Sequence, residues 1–250
     1  MKTFYLAAIL SILLFACKKE NDTNQPLVAS DYAPLKAGKF ITYSLDSLVY
    51  INFGKVEAHR FYEVKYVFVD SATDNLGRKG FRTVRYIRTL PNGTFVSDNT
   101  SFSIQLNNGF EFTENNLKYL KLANPISEGK MWKGNSAIDV TSQSADLQYL
   151  FDWDYTYKDV AQPKKVGTFN LENTITINQR NDSLNLPIIP NVPVGNPNAT
   201  QIASKDFSQE IYAKGIGLVY KQFLHFDYQT AFNNGGYIGY GVKLTMIDHN

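Results

Sequence analysis

The sequence predicts a mainly β fold, a single antiparallel domain with little helix. Three observations predict it. Apolar residues recur with period two in one segment after another. Tyrosine and phenylalanine are plentiful, 16 and 17 of 250 residues, and both suit a pleated, half-buried surface. Turn signals rich in Gly, Asn and Pro separate the alternating runs, and no window carries a long amphipathic helix.

The elements follow in order. Residues 61–69 carry Phe61, Val67 and Val69 on one face and Tyr62, Val64, Tyr66 and Phe68 on the other, which predicts a central or covered strand. Residues 81–88 set Phe81, Thr83, Arg85 and Ile87 against Arg82, Val84, Tyr86 and Arg88. Pro91-Asn92-Gly93 is a turn. Strands follow at 94–97, 101–106 and 109–113, the last two joined by the hairpin signal Asn107-Asn108-Gly109, and then at 117–123. Residues 142–150 are the most helix-like stretch. Residues 148–159 place Tyr149, Phe151, Trp153, Tyr155 and Tyr157 at odd positions, opposite Asp152, Asp154, Thr156 and Lys158, which predicts a half-buried strand. Another strand is expected at 169–180. Residues 181–201 hold Pro187, Pro190, Pro193 and Pro197 and read as a long surface loop. Strands at 210–212, 216–229 and 237–248 complete one β-rich domain spanning 31–250.

One hexapeptide occurs in two versions. Pro34-Leu35-Lys36-Ala37-Gly38-Lys39 is echoed by Pro125-Ile126-Ser127-Glu128-Gly129-Lys130, and an aromatic residue follows each, Phe40 or Trp132. Proline fixes φ, the apolar residue plugs the core, and glycine permits the turn. The echo reads more simply as one turn solution reached twice than as two similar halves.

Ahead of the domain, Lys2 precedes an apolar run at 4–15 that ends in Leu14-Phe15-Ala16-Cys17, the chain's one cysteine. This is the order of a secretory signal peptide, here 1–16, cleaved so that cysteine becomes the first residue. As a helix the apolar run rises roughly 18 Å at 1.5 Å per residue, short of the ~30 Å core of a bilayer. It resembles the bacterial lipoprotein signal, which implies diacylglycerol on the Cys17 thiol and a further acyl chain, palmitate in type, on its amine. Each buried methylene contributes about 0.8 kcal/mol, and two or more chains give stable attachment. Residues 18–30 are polar, with no apolar periodicity before Leu27-Val28, and 17–30 are expected to be a disordered tether of at most about 50 Å. Their Lys18-Lys19-Glu20-Asn21-Asp22 start resembles lipoproteins of Bacteroidota, which implies an outer-membrane anchor on the periplasmic or the cell-surface face.

Three further motifs, Tyr32-Ala33-Pro34-Leu35-Lys36-Ala37-Gly38-Lys39, Gly129-Lys130-Met131-Trp132-Lys133-Gly134-Asn135 and Ala213-Lys214-Gly215-Ile216-Gly217-Leu218-Val219-Tyr220, occur in that order and widely spaced. Together they resemble a group of Bacteroidota surface lipoproteins with a β-rich domain. That resemblance implies a strongly curved antiparallel sheet, half-barrel or barrel-like, and carries no activity with it.

Composition excludes several functions. Without residues 1–16 the basic count falls by Lys2 alone, from 25 to 24 against 23 acids, so no electrostatic footprint for nucleic acid exists. With Cys17 acylated, no disulfide forms and no thiol serves catalysis or metal. The histidines are His59, His225 and His249. His225 and Asp227 share a strand face as a candidate orienting pair, but Gly134-Asn135-Ser136-Ala137-Ile138 lacks the last glycine of a nucleophile elbow. Asp152 and Asp154 point the same way as two oxygen ligands, whereas calcium needs six or more. Asp70 to Gly80 breaks the spacing of a calcium loop. Gly215-Ile216-Gly217 fits a tight turn or bulge better than a nucleotide loop. No catalytic residues, metal ligands or cofactors are assigned.

The aromatic run is the candidate binding surface, with Trp132 and Trp153 as anchors beside Tyr155 and Tyr157. Core packing explains the same pattern. The sequence therefore points to a lipid-anchored, non-enzymatic binding or structural module, with a glycan, a lipid or a protein as partner. The alternative is a carrier enclosing a lipophilic ligand in a curved sheet, and a hydrolase built on His225 and Asp227 is the least favoured. An enclosed cavity with apolar walls favours the carrier; an exposed aromatic strip favours glycan or protein binding.

Overall fold

The computed structural model describes residues 25–141, 145–186, 202–230 and 235–250. Cys17, the signal segment and the start of the tether lie outside the described residues, as do 187–201 of the proline-rich loop. A single helical turn, α1 (Ala29–Tyr32), precedes six strands: β1 (Phe40–Ile51), β2 (Val56–Thr73), β3 (Lys79–Thr89), β4 (Val96–Leu106), β5 (Gly109–Glu114) and β6 (Leu117–Ala123). Six more follow: β7 (Met131–Trp132), β8 (Tyr155–Val166), β9 (Phe169–Leu184), β10 (Ile202–Ala213), β11 (Gly217–Gln229) and β12 (Gly236–His249). A 3₁₀ helix, Ala145–Leu150, lies between β7 and β8. The fold is mainly β and antiparallel, as the periodicity predicts.

Among the described residues, these twelve strands form one sheet in the order β6-β5-β4-β3-β2-β1-β12-β11-β10-β9-β8-β7. Each half of the chain is thus a six-stranded meander, and β1 pairs with β12 to join them, from Ile41 opposite His249 to Val49 opposite Tyr240. The sheet curls into a nearly closed barrel. At the seam, Leu120 donates its N–H to the Gly134 carbonyl at 2.7 Å. Trp132 Nε1 donates to the Leu120 carbonyl at 2.8 Å. The Tyr157 hydroxyl donates to the Ala123 carbonyl at 3.0 Å and accepts from its N–H at 2.7 Å. Such bonds satisfy edge strands that would otherwise offer free N–H and C=O groups.

The echoed hexapeptide marks the start of each meander. Gly38 and Gly129 have φ of 79° and 76°, which a side chain rarely adopts. Gly38 N–H donates to the Phe68 carbonyl at 2.7 Å and Phe68 N–H to the Lys39 carbonyl at 2.9 Å. Gly129 and Lys130 make the same pair of bonds with Tyr157, at 3.0 and 3.1 Å. The turns therefore occupy equivalent places in two six-stranded halves, contrary to the simpler expectation of a turn reached twice by chance.

Period two is realised as inside against outside. Tyr43, Leu45 and Ser47 of β1 and Tyr62, Val64 and Tyr66 of β2 all line the barrel interior. Buried aromatics and aliphatics fill one side, around Trp153, Tyr155, Tyr157 and Ile177, with Ala29 and Tyr32 of α1 packed against them. A second cluster gathers Ile41, Tyr43, Val64 and Met246 under β1 and β12. Each such side chain contributes about 1.5–3 kcal/mol on burial. Among the described residues, no helix is long and apolar enough to cross a membrane.

Several boundaries differ from the sequence reading. Residues 27–30, expected in the tether, belong to the body: Leu27 bridges Ile126, and Ala29 N–H donates to Asn124 Oδ1 at 2.7 Å. The expected strand at 148–159 begins only at Tyr155. Asp152, at φ 57°, turns the chain there, and Tyr149 lies on the 3₁₀ helix. Alternation survived the break because Tyr149, Trp153, Tyr155 and Tyr157 all pack into one cluster. The two strands expected at 94–97 and 101–106 are one, β4, with a bulge that leaves Asp98 outside the register. β9 runs through Leu184, so the proline-rich loop starts later than residue 181.

Candidate functional site

Inside the barrel lie two adjoining cavities. The smaller, about 90 Å³, sits under Ala33 and Pro34 at the end where the chain enters. The larger, about 840 Å³, reaches the opposite end, at the Asn115–Asn116 turn between β5 and β6. That volume falls within the ~300–1,000 Å³ usual for small-molecule sites. Tyr66, Glu114, Lys121, Lys221 and Leu244 line both cavities, so a polar girdle separates them.

Strand alternation places the girdle. Lys121 follows Leu117 and Tyr119 on the inner face of β6, and Glu210 follows Ser208 on that of β10. Glu210 is directly opposite Lys221 in the β10–β11 register. Lys121 Nζ reaches Glu210 Oε1 at 2.7 Å, with side chains 9% and 1% exposed. The Tyr212 hydroxyl donates to Glu210 Oε2 at 2.9 Å. Burial favours the neutral form of Glu210, but the Lys121 and Lys221 charges outweigh it and hold the carboxyl below its usual range. At Lys121 burial prevails and lowers the amine. At Lys221 burial also opposes the charge, yet Glu114 and Glu210 raise its affinity for the proton.

Not every polar group in the wall is satisfied. Among the described residues, neither Lys221 Nζ nor the Glu114 carboxylate has a hydrogen-bond or ion-pair partner. Gln179, 2% exposed, accepts from Ser208 Oγ through Oε1 at 2.5 Å, while its Nε2 has no partner. Arg85 also lines the large cavity, but Asp98 clamps it through Nε and Nη2 at 2.9 and 2.7 Å. The bulge in β4 turns Asp98 toward that guanidinium. Burial, with help from Glu114, pushes the Tyr66 hydroxyl up to about 12, so it stays protonated. Leu45, Val64, Ile87, Val242 and Phe223 supply apolar wall.

The 3₁₀ helix and the residues after it cover one side of the large cavity. Tyr149 stacks on His225, centroids 4.0 Å apart, and its hydroxyl lies 3.1 Å from that of Tyr240. Trp153 stacks on Phe223 at 6.3 Å.

The four aromatic residues singled out from the sequence divide. Trp153, Tyr155 and Tyr157 are buried, and Trp132 is half-buried with its ring 4.4 Å from that of Tyr157. Trp153 and Tyr155 border the large cavity; Trp132 and Tyr157 hold the seam. His225 bonds Asp206 across the strands at 2.7 Å and not Asp227. Asp152 and Asp154 both grip Lys133, at 2.6 and 2.8 Å, at the surface. Among the described residues, no group of three or more His, Cys, Asp or Glu is placed to hold a metal. Sequence reasoning missed Lys121, Lys221, Glu114, Glu210 and Gln179. The available signal was a charged or amide residue on the apolar phase of a strand, such as Glu210 beside Tyr212.

No family model matches the chain. No curated protein matches it either. One solved structure, a protein from Bacteroides fragilis described as exported with a YmcC-like fold, matches 87% of this chain and 99% of its own at 10% identity. Its TM-score is 0.29, and the likeness carries no argument about this protein.

Proposed function

We propose that the protein is an outer-membrane lipoprotein, tied to lipid by acyl chains on Cys17, whose barrel binds an amphipathic small molecule. This is the carrier reading, a non-enzymatic one. The observation that carries it is the cavity of about 840 Å³, lined by apolar and polar side chains together. Burial of Trp153, Tyr155 and Tyr157 takes away the exposed strip that stacking on a glycan requires. The anchor is supported by the order of basic residue, apolar run, Ala16 and Cys17. Leu27 enters beside Ile126, at the end of β6 opposite the Asn115–Asn116 turn, so a short tether presents the large cavity away from the anchoring surface.

Two experiments test the two halves of this proposal. Protein purified from native membranes is expected to carry extractable amphiphile, detected by mass spectrometry, and Val64→Trp/Ile87→Trp, which fills the cavity, is expected to lose it. Equal lipid content in the filled and unfilled forms sinks the carrier reading. Cys17→Ser is expected to abolish acyl mass and detergent partitioning; an unchanged mass and partition sink the anchor.

A further inference from the structure

The girdle specifies what kind of head group the cavity accepts. We infer that the ligand is an amphiphile with a net-neutral head that both donates and accepts hydrogen bonds, a hydroxyl-rich head on an aliphatic tail. This inference rests on the carrier reading.

Five ionic groups line the two cavities: Lys121, Lys221 and Arg85 against Glu114 and Glu210. Lys121 and Glu210 satisfy one another in contact, and Asp98 matches Arg85. Lys221 and Glu114 remain, opposite in charge and acting on one another, but without a hydrogen-bonded partner among the described residues. The wall thus offers a donor at Lys221 and an acceptor at Glu114, each without a hydrogen bond of its own among the described residues.

An anionic head pairs with Lys221 but brings a like charge beside Glu114 and Glu210. A cationic head pairs with Glu114 and meets Lys121 and Lys221. Like charges juxtaposed in a binding site cost several kcal/mol. Hydroxyl groups avoid both penalties, because an oxygen accepts from Lys221 while its hydrogen donates to Glu114. Buried polar groups left unpaired are themselves unfavourable, so a head that pairs both gains specificity over one that pairs a single group. The tail lies along Leu45, Val64, Ile87 and Val242, which line the same cavity.

Three probes of one chain length, dodecanoylglycerol, dodecanoate and dodecylammonium, distinguish the cases by titration calorimetry on the delipidated full chain below micelle-forming concentrations. The glyceride is expected to bind at least about tenfold more tightly than either ion. Glu114→Gln removes a negative charge and is expected to raise the relative affinity for dodecanoate by about tenfold, and Lys221→Gln to do so for dodecylammonium. An ion that binds the unaltered protein as tightly as the glyceride overturns the inference, and this comparison needs no variant to fold. Charge swaps that leave the ranking unchanged overturn it as well. If all three probes bind equally, the carrier reading survives and the head-group inference does not. If none binds, the carrier reading fails first.

Discussion

Glu210→Gln tests whether the girdle is built as described. The glutamine keeps the size and the bond to Tyr212 but leaves Lys121 as a buried cation without its counter-charge. Two unit charges about 4 Å apart attract by ~4 kcal/mol at an effective dielectric constant near 20. Removing one partner of a buried pair costs about 3–5 kcal/mol in practice. With side chains 9% and 1% exposed and 2.7 Å between them, this pair belongs in that class rather than with surface bridges. At about 2–4 °C per kcal/mol for a chain of this size, the melting temperature falls by roughly 10 °C. The deficit shrinks at alkaline pH. The folded-state pKa of Lys121 is already below its unfolded value, and loss of Glu210 lowers it further. Between those two values the unfolded chain binds more protons, so stability rises with pH. Urea unfolding at neutral pH and near pH 9.5 reads both effects. The double variant Lys121→Met/Glu210→Leu is expected to recover most of the loss. A single variant within ~1 kcal/mol of the parent, or a double variant worse than both singles, refutes the buried pair.

Three other substitutions probe the frame around it. Trp153→Ala is expected to cost about 3–5 kcal/mol in chemical denaturation, because a 2%-exposed indole leaves a cavity beside Phe223; a loss under ~1 kcal/mol would place that ring outside the core. Gly109→Ala is expected to destabilise by more than ~1 kcal/mol, since Gly109 has φ of 151° and an added methyl overlaps the Leu122 carbonyl across the β5–β6 pair. His59 is bonded to Asp46 at 2.6 Å and to Glu57 at 3.3 Å, and these bonds raise its pKa above 6.5. Its contribution is therefore full below the unfolded value and fades as pH rises through the folded one. An NMR titration is expected to show the midpoint fall on Asp46→Asn, and an unmoved midpoint refutes the bond.

The strands were legible in the sequence because burial on one face writes itself as period two. Residues 81–88 and 169–180 carried that signal, and β3 and β9 contain them. The break at Asp152 was not legible, since Tyr149 and Trp153 pack with Tyr155 whether or not a turn intervenes. Nor was the repeat: two related hexapeptides show a shared turn, but only the matching bonds to Phe68 and Tyr157 show equivalent places in two meanders. The cavity was least legible of all. Whether Leu45 and Val64 meet packed atoms or space depends on how far the sheet curls, and no local pattern encodes that curvature. The buried charges were visible as letters, yet Lys121 and Glu210 are 89 residues apart, and only barrel closure brings them into contact.

A barrel of this size faces a choice in filling its interior. Side chains fill one side here, where Trp153, Tyr155 and Tyr157 pack densely, and an all-aliphatic set elsewhere would have completed a dry core. The inner faces instead present Lys121, Glu210, Lys221, Glu114 and Gln179 beside open space. Replacing a buried ion pair by apolar residues of similar volume is often neutral or stabilising by about 1–4 kcal/mol, so the pair is poorly explained by stability alone. A roomy polar site holds ordered water, which satisfies groups such as Lys221 Nζ at modest entropic cost. A ligand that reproduces those hydrogen bonds while laying a chain along Val64 and Ile87 displaces the water and buries apolar surface together. Such a wall favours an amphiphile over a purely apolar guest, which would leave Lys221 and Glu114 unpaired.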